Sequence, residues 1–189
     1  TMNSDMDLIA VSPTLEKFQD PQKTADGSDR AVVKLRELNL LWLNTGTLCN
    51  LSCDNCYIES TPSNDRLTYL TRSDVQRYLD EISALELPVT EIGITGGEPF
   101  MNPDILQILI DCLEAGMKVL VLTNAMRPMM KCADQLLLLN QRFRDQLVLR
   151  VSLDHYHPDK HEEERGQRSW NPAIKGLRWL CDNHFQVRV

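Results

Sequence analysis

Several things are missing from this chain of 189 residues, and each absence removes a class of function. No window approaches the ~18 consecutive apolar residues that a membrane-spanning helix needs. Positive charge is not in excess. The 20 Lys and Arg stand against 27 Asp and Glu, and a formal net charge of −7 argues against nucleic acid or an anionic membrane surface as the main partner. The opening residues, TMNSDMDLIAVSPTLEKF, lack the basic stretch and apolar core of a secretory signal, so the expected compartment is the cytoplasm. No internal repeat and no long low-complexity tract is visible. What is left, at 42% hydrophobic and 25% charged residues, is the composition of one ordinary folded domain.

Cysteine is present but unevenly spread. Cys49, Cys53 and Cys56 form a C-x3-C-x2-C array inside LNTGTLCNLSCDNCYI, while Cys112, Cys132 and Cys181 fall singly in helical patterns and read as core residues. A disulfide framework would space its cysteines differently. Thiolates this crowded ask for a soft metal centre, and three rather than four leave one coordination position open. From spacing alone, iron–sulfur leads. A zinc site needs a fourth ligand from afar, with His155 or His161 as donors in principle, and accidental clustering is the third reading.

Along the chain, residues 1–30 are polar and read as a loosely ordered leader, with the domain core over 31–189. The first expected strand is Leu40 to Asn44, a continuous apolar run of the kind buried on both faces, and the cysteine loop follows it. A helix is expected from about Ser73 to Leu85, capped by Thr71 or Ser73. The second strand, Glu91 to Thr95, runs into Gly96-Gly97-Glu98-Pro99. Asn102-Pro103 reads as an N-cap and first helical residue, with Gly116 as the stop. Strand three is Lys118 to Leu122, a helix lies within Met129 to Asn140, and strand four is Leu147 to Leu153. Asn171-Pro172 opens another helix, and Phe185 to Val189 is a fifth strand. Strands recurring every ~30 to ~40 residues suit a parallel α/β sheet, as a partial barrel or an open doubly wound sheet. In both, chemistry collects at the C-terminal strand ends, where the cysteine loop, the GGEP turn, Asn124 and Asp154 all fall.

The GGEP turn by itself is a tight turn before a helix. One unit after the cysteine loop, its two glycines let backbone approach a ligand, and Glu98 adds a carboxylate beside it.

Together, Cys49-x3-Cys53-x2-Cys56 and GGEP resemble the radical S-adenosylmethionine (radical SAM) superfamily. CNLSCDNCY is similar especially to the branches holding molybdenum-cofactor cyclases and peptide-modifying enzymes with an extra C-terminal cluster domain. The resemblance implies an incomplete parallel (β/α) barrel, here ending after about the fifth strand. It implies a [4Fe–4S] cluster on Cys49, Cys53 and Cys56, with S-adenosylmethionine chelating the remaining iron. Glu98 with Gly96, Gly97 and Pro99 would receive the methionine amino group, and Asn124, Ser152 and Asp154 would lie near the ribose and carboxylate. Many family members carry an aromatic residue just before the third cysteine. Here Asn55 stands there, and Tyr57 is the candidate adenine contact. The implied reaction is reductive cleavage to a 5′-deoxyadenosyl radical that abstracts a substrate hydrogen, with electrons from a donor such as a flavodoxin or ferredoxin.

The substrate is a small molecule or a peptide, the latter favoured by the branch resemblance. In DHYHPDKHEEERG, the run Glu162 to Glu164 reads as a solvated face, while His155 and Tyr156 are candidates to reach the substrate. Arg150 on its strand faces either an anion inside the barrel or a buried acid. The rival readings are a non-catalytic iron–sulfur electron-transfer or sensing protein and a zinc-stabilised binding module.

Overall fold

The structure, a computed structural model, describes residues 20–34 and 36–189. The chain divides into two units, 1–36 and 37–189. Most of the expected polar leader, residues 1–19, lies outside the described residues. Within 20–34 a short turn is closed by Thr24 N–H to the Ser28 carbonyl (2.9 Å) and an antiparallel bridge between Lys23 and Asp29.

The larger unit runs β1 (Leu40–Asn44), α1 (Arg72–Ala84), β2 (Glu91–Thr95), a 3-10 turn (Pro99–Met101), α2 (Ile105–Glu114), β3 (Lys118–Thr123), α3 (Arg127–Lys131), α4 (Ala133–Phe143), β4 (Leu147–Val151), α5 (Pro158–Arg165), α6 (Trp170–Asp182) and β5 (Gln186–Arg188). All five strands pair in parallel in the order β1-β2-β3-β4-β5. A doubly wound sheet reverses direction at a switch point, and this one does not. The fold is therefore the expected incomplete parallel barrel. No helix among the described residues is long and apolar enough to cross a membrane.

Alternation along each strand divides the sheet into two faces. Leu43, Ile92, Ile94, Val119, Val121, Leu147, Leu149 and Val151 point into the core against the buried stripes of α1, α2, α4 and α6. The opposite face is open. There Leu40 and Trp42 are exposed, so β1 is not buried on both faces as its apolar run suggested. The indole of Trp42 lies over Gly93, its register partner on β2, where a Cβ would sit 2.4 Å from the ring.

Two helix starts differ from expectation: α6 begins at Trp170 after Ser169, so Asn171-Pro172 lies inside its first turn, and α2 begins later than expected. Asn102 does not open α2. It ends the 3-10 turn, and its amide donates to the Thr45 and Leu70 carbonyls (3.2 and 2.8 Å), tying β1's end to the α1 approach. Residue 104 becomes the N-cap of α2 instead. Thr71 caps α1 in a full capping box with Asp74, as its sequence suggests. Cys112 is buried in the core, while Cys181 is exposed, because α6 buries Ala173, Gly176 and Leu180 and turns the next residue outward.

Candidate functional site

At the C-terminal ends of the strands lies a cavity of about 290 Å³. One wall is the cysteine loop, with Cys49, Cys53, Cys56 and Tyr57. Thr95, Gly96 and Gly97 extend from β2, Leu122, Thr123 and Asn124 from β3, Ser152 from β4, and Arg165 from the end of α5. Four separate strand ends thus meet at one place.

The cysteine loop is held at its neck and its tip. A parallel bridge joins Leu48 to Thr61, and Cys49 N–H donates to the Thr61 carbonyl at 3.1 Å. Asp54 N–H reaches across to the Glu164 carbonyl on α5 at 3.0 Å. Backbone N–H groups also point at two of the sulfurs, Leu51 at Cys49 Sγ (3.5 Å) and Ser60 at Cys56 Sγ (3.2 Å). Such donors stabilise thiolate charge and set the potential of any centre the sulfurs hold.

The glycine turn is strapped to the same loop. Gly97 N–H donates to the Gly46 carbonyl (2.8 Å) and Glu98 N–H to the Leu48 carbonyl (3.1 Å). A Cβ on Gly97 would lie 2.1 Å from the Leu48 oxygen. The glycines thus let the turn approach the cysteine loop itself, besides presenting backbone to the cavity.

Glu98 lies under the cavity and does not line it. It is 2% exposed, and its carboxylate accepts three hydrogen bonds. Oε1 accepts from the Thr123 hydroxyl (2.7 Å) and Phe100 N–H (3.2 Å), and Oε2 from Asn124 N–H (2.8 Å). Burial pushes the carboxyl up to about 7, against the pull of those three donors and the more distant Arg165. Asn124, fixed from beneath in this way, donates its amide to Asn50 Oδ1 (2.9 Å) and comes within 3.9 Å of Cys49 Sγ. Pro99 is buried in the 3-10 turn.

Asp154 also stands off the cavity wall. Its carboxylate takes the guanidinium of Arg165, with Nη2 at 3.2 Å from Oδ1 and Nε on Oδ2. Arg165 is the residue sequence reasoning passed over. It sits in a run of charges that reads as a solvated helix face, yet its side chain is only 16% exposed and its head forms part of the cavity wall. α5 ends there, and Gly166 follows with φ 95°.

His155 and Tyr156 stack on each other (ring centroids 4.3 Å apart) outside the cavity lining, and Tyr156 is 85% exposed. His161 is buried edge-on against Trp170 and does not line the cavity. Tyr57 lines the cavity but is 82% exposed.

The donor set has a definite chemistry. Burial holds the Cys49 thiol up at about 11; burial also raises Cys53, with Arg165 pulling the other way. Among the described residues, no three His, Cys, Asp or Glu side chains gather around one point as a single ion requires. His155 and His161, the histidines a zinc reading would draw on, do not line the cavity with the three thiols. A four-iron cluster spreads its thiolates, one to each iron, and three thiols on one wall of a cavity fit that demand.

Comparison with known proteins agrees. The family model of the radical SAM superfamily matches residues 43–189. The chain is 31% identical over 142 residues to the antilisterial bacteriocin subtilosin biosynthesis protein AlbA of Bacillus subtilis, covering 75% of this chain and 30% of that protein. It is 29% identical over 144 residues to the AdoMet-dependent heme synthase of Methanosarcina barkeri, covering 75% and 39%. The chain thus spans about a third of the length of these relatives. Among solved structures, Streptococcus suis SuiB bound to S-adenosylmethionine superposes with a TM-score of 0.65 at 22% identity, over 80% of this chain and 33% of that one.

Proposed function

Since the chain belongs to the radical SAM superfamily, whose members use a [4Fe–4S] cluster and S-adenosylmethionine, we propose that its cavity binds both and that the protein is a hydrogen-abstracting enzyme. The observation that carries this reading is the single cavity bounded by three thiols on one side and by backbone, amide and guanidinium groups on the other. In this reading Cys49, Cys53 and Cys56 hold three irons. The bound pair supplies, on reduction, a 5′-deoxyadenosyl radical that takes a hydrogen atom from the substrate.

The chain's own part is binding and orientation. Gly96 and Gly97 offer carbonyl acceptors to an ammonium group, while Arg165 offers a fixed guanidinium to a carboxylate, with Asp154 holding it in place. Glu98 acts from below, by fixing Thr123 and the Asn124 backbone, which is a different task from the direct contact its motif suggests. Ser152 and Tyr57 stand at the rim for the nucleoside end. The likeness to AlbA, a bacteriocin biosynthesis protein, favours a peptide over a small metabolite as substrate.

The test is anaerobic reconstitution of the whole protein with iron and sulfide, followed by S-adenosylmethionine and dithionite or a flavodoxin system. Release of 5′-deoxyadenosine and methionine is expected. A protein that carries a reducible four-iron cluster and releases neither is an electron carrier or sensor, and the enzyme reading then fails.

A further inference from the structure

The open face of the sheet carries a pair of like charges at one level. Arg150 on β4 and Arg188 on β5 are register partners across a parallel ladder. Their neighbours Leu149 and Val187 pack in the core, so alternation turns both guanidiniums to the other side, where both residues are exposed. Adjacent parallel strands lie about 4.8 Å apart, so the two side chains rise from almost the same spot. No acid among the described residues answers them. Among the described residues neither arginine has an ion pair or a side-chain hydrogen bond, and the nearest acid beyond β4, Asp154, is already taken by Arg165.

The same level crosses the sheet as Leu122 on β3, the register partner of Arg150, and Leu122 lines the cavity. Ser152, two residues beyond Arg150 and roughly 6.6 Å further along the strand, lines it as well. One step lower on the same face the register runs Trp42, Gly93, Leu120, Val148 and Gln186, apolar up to Val148 and polar below Arg188. Two unpaired guanidiniums directly opposite each other repel, and the arrangement relaxes when one oxyanion takes both.

We infer that Arg150 and Arg188 together bind an oxyanion of the substrate, a carboxylate or a phosphate, and so hold the group to be attacked at the mouth of the cavity. This rests on the enzyme reading above and adds a chemical class to its substrate. The two arginines are specificity determinants. They do no chemistry on the reacting hydrogen.

The experiment is calorimetric titration of the reconstituted whole protein, with S-adenosylmethionine saturating so that Arg165 is occupied. Two probes are used at fixed ionic strength: inorganic phosphate, and glutarate as a mimic of an acidic side chain. At least one is expected to bind, and the stronger of the two names the source of the oxyanion. Arg150→Gln and Arg188→Gln should each weaken binding by about tenfold or more, and Arg150→Lys should restore part of it. Thermal melting checks that the exposed substitutions leave the fold intact. If neither probe binds the unaltered protein, or if both bind the glutamine variants as tightly, the inference is overturned. A protein that releases 5′-deoxyadenosine yet ignores both probes sinks this inference alone, whereas one that binds a probe but never cleaves S-adenosylmethionine sinks the enzyme reading.

Discussion

Replacing Glu98 by glutamine isolates the effect of a carboxyl group sealed beneath the site. Its folded-state value of about 7 stands against an ordinary 4.5, because burial disfavours the charged form more than its three donors favour it. That difference corresponds to roughly 3 kcal/mol between the two protonation states. Between the two values the folded protein keeps a proton that the unfolded chain has released. The resulting stability is fully present below 4.5, erodes as pH rises, and is gone above about 7. Glutamine cannot titrate, so Glu98→Gln lacks this slope. Urea unfolding of the reduced apoprotein and of the variant, at intervals from about pH 4.5 to pH 8, gives the two stability curves. The other acids contribute equally to both and cancel in the difference. The stability of the unaltered protein relative to the variant should fall by ~3 kcal/mol across the window. A difference that stays flat with pH would show that Glu98 is ionised throughout, and the burial argument would be refuted.

Four further outcomes are expected. Cys53→Ala should lose the brown visible absorption and the bound iron after reconstitution, since two thiolates rarely hold a cubane cluster; retained colour would contradict the ligand set. Gly97→Ala should cost ~2 kcal/mol or more in urea unfolding, because the new methyl meets the Leu48 carbonyl at 2.1 Å; an unchanged midpoint would mean that the turn is not held against the loop. Arg165→Gln should weaken S-adenosylmethionine binding by about tenfold in calorimetry, and an unchanged Kd removes Arg165 from the carboxylate contact. Thr71→Ala should lower stability by ~1 kcal/mol through loss of the capping box, with no effect on cluster loading.

Much of the scaffold was legible because its signals are local. β1 and β2 coincide with the expected spans, since a short apolar run followed by a polar or glycine turn leaves little choice. Thr71 and Gly116 punctuate helices where their chemistry says they should. The α2 start was misplaced at Asn102 because an Asx-Pro signal competes with tertiary bonds, and there the Thr45 and Leu70 carbonyls won; α6 starts two residues ahead of Pro172, at Trp170, whose N–H donates to Glu162 Oε1. In the site, the cysteines and glycines could be found from spacing. The direction of Glu98 could not be, because donors from β3, a later strand, decide it. Arg165 was hidden for the same reason: its partner lies 11 residues away across a turn, a separation with no periodic signature.

The bond from Asp54 N–H to the Glu164 carbonyl has a consequence for the life history of the protein. It closes a loop of about 110 residues, and other straps on the cysteine loop come from Thr61, Gly97, Glu98 and Asn124. During synthesis the three thiols leave the ribosome long before the chain that holds them in shape. Closing so long a loop takes entropy that only the finished sheet returns. Iron delivered to the nascent chain would meet three loosely tethered thiols with no cavity around them. The cavity around the three thiols is therefore complete only once α5 has folded against the cysteine loop.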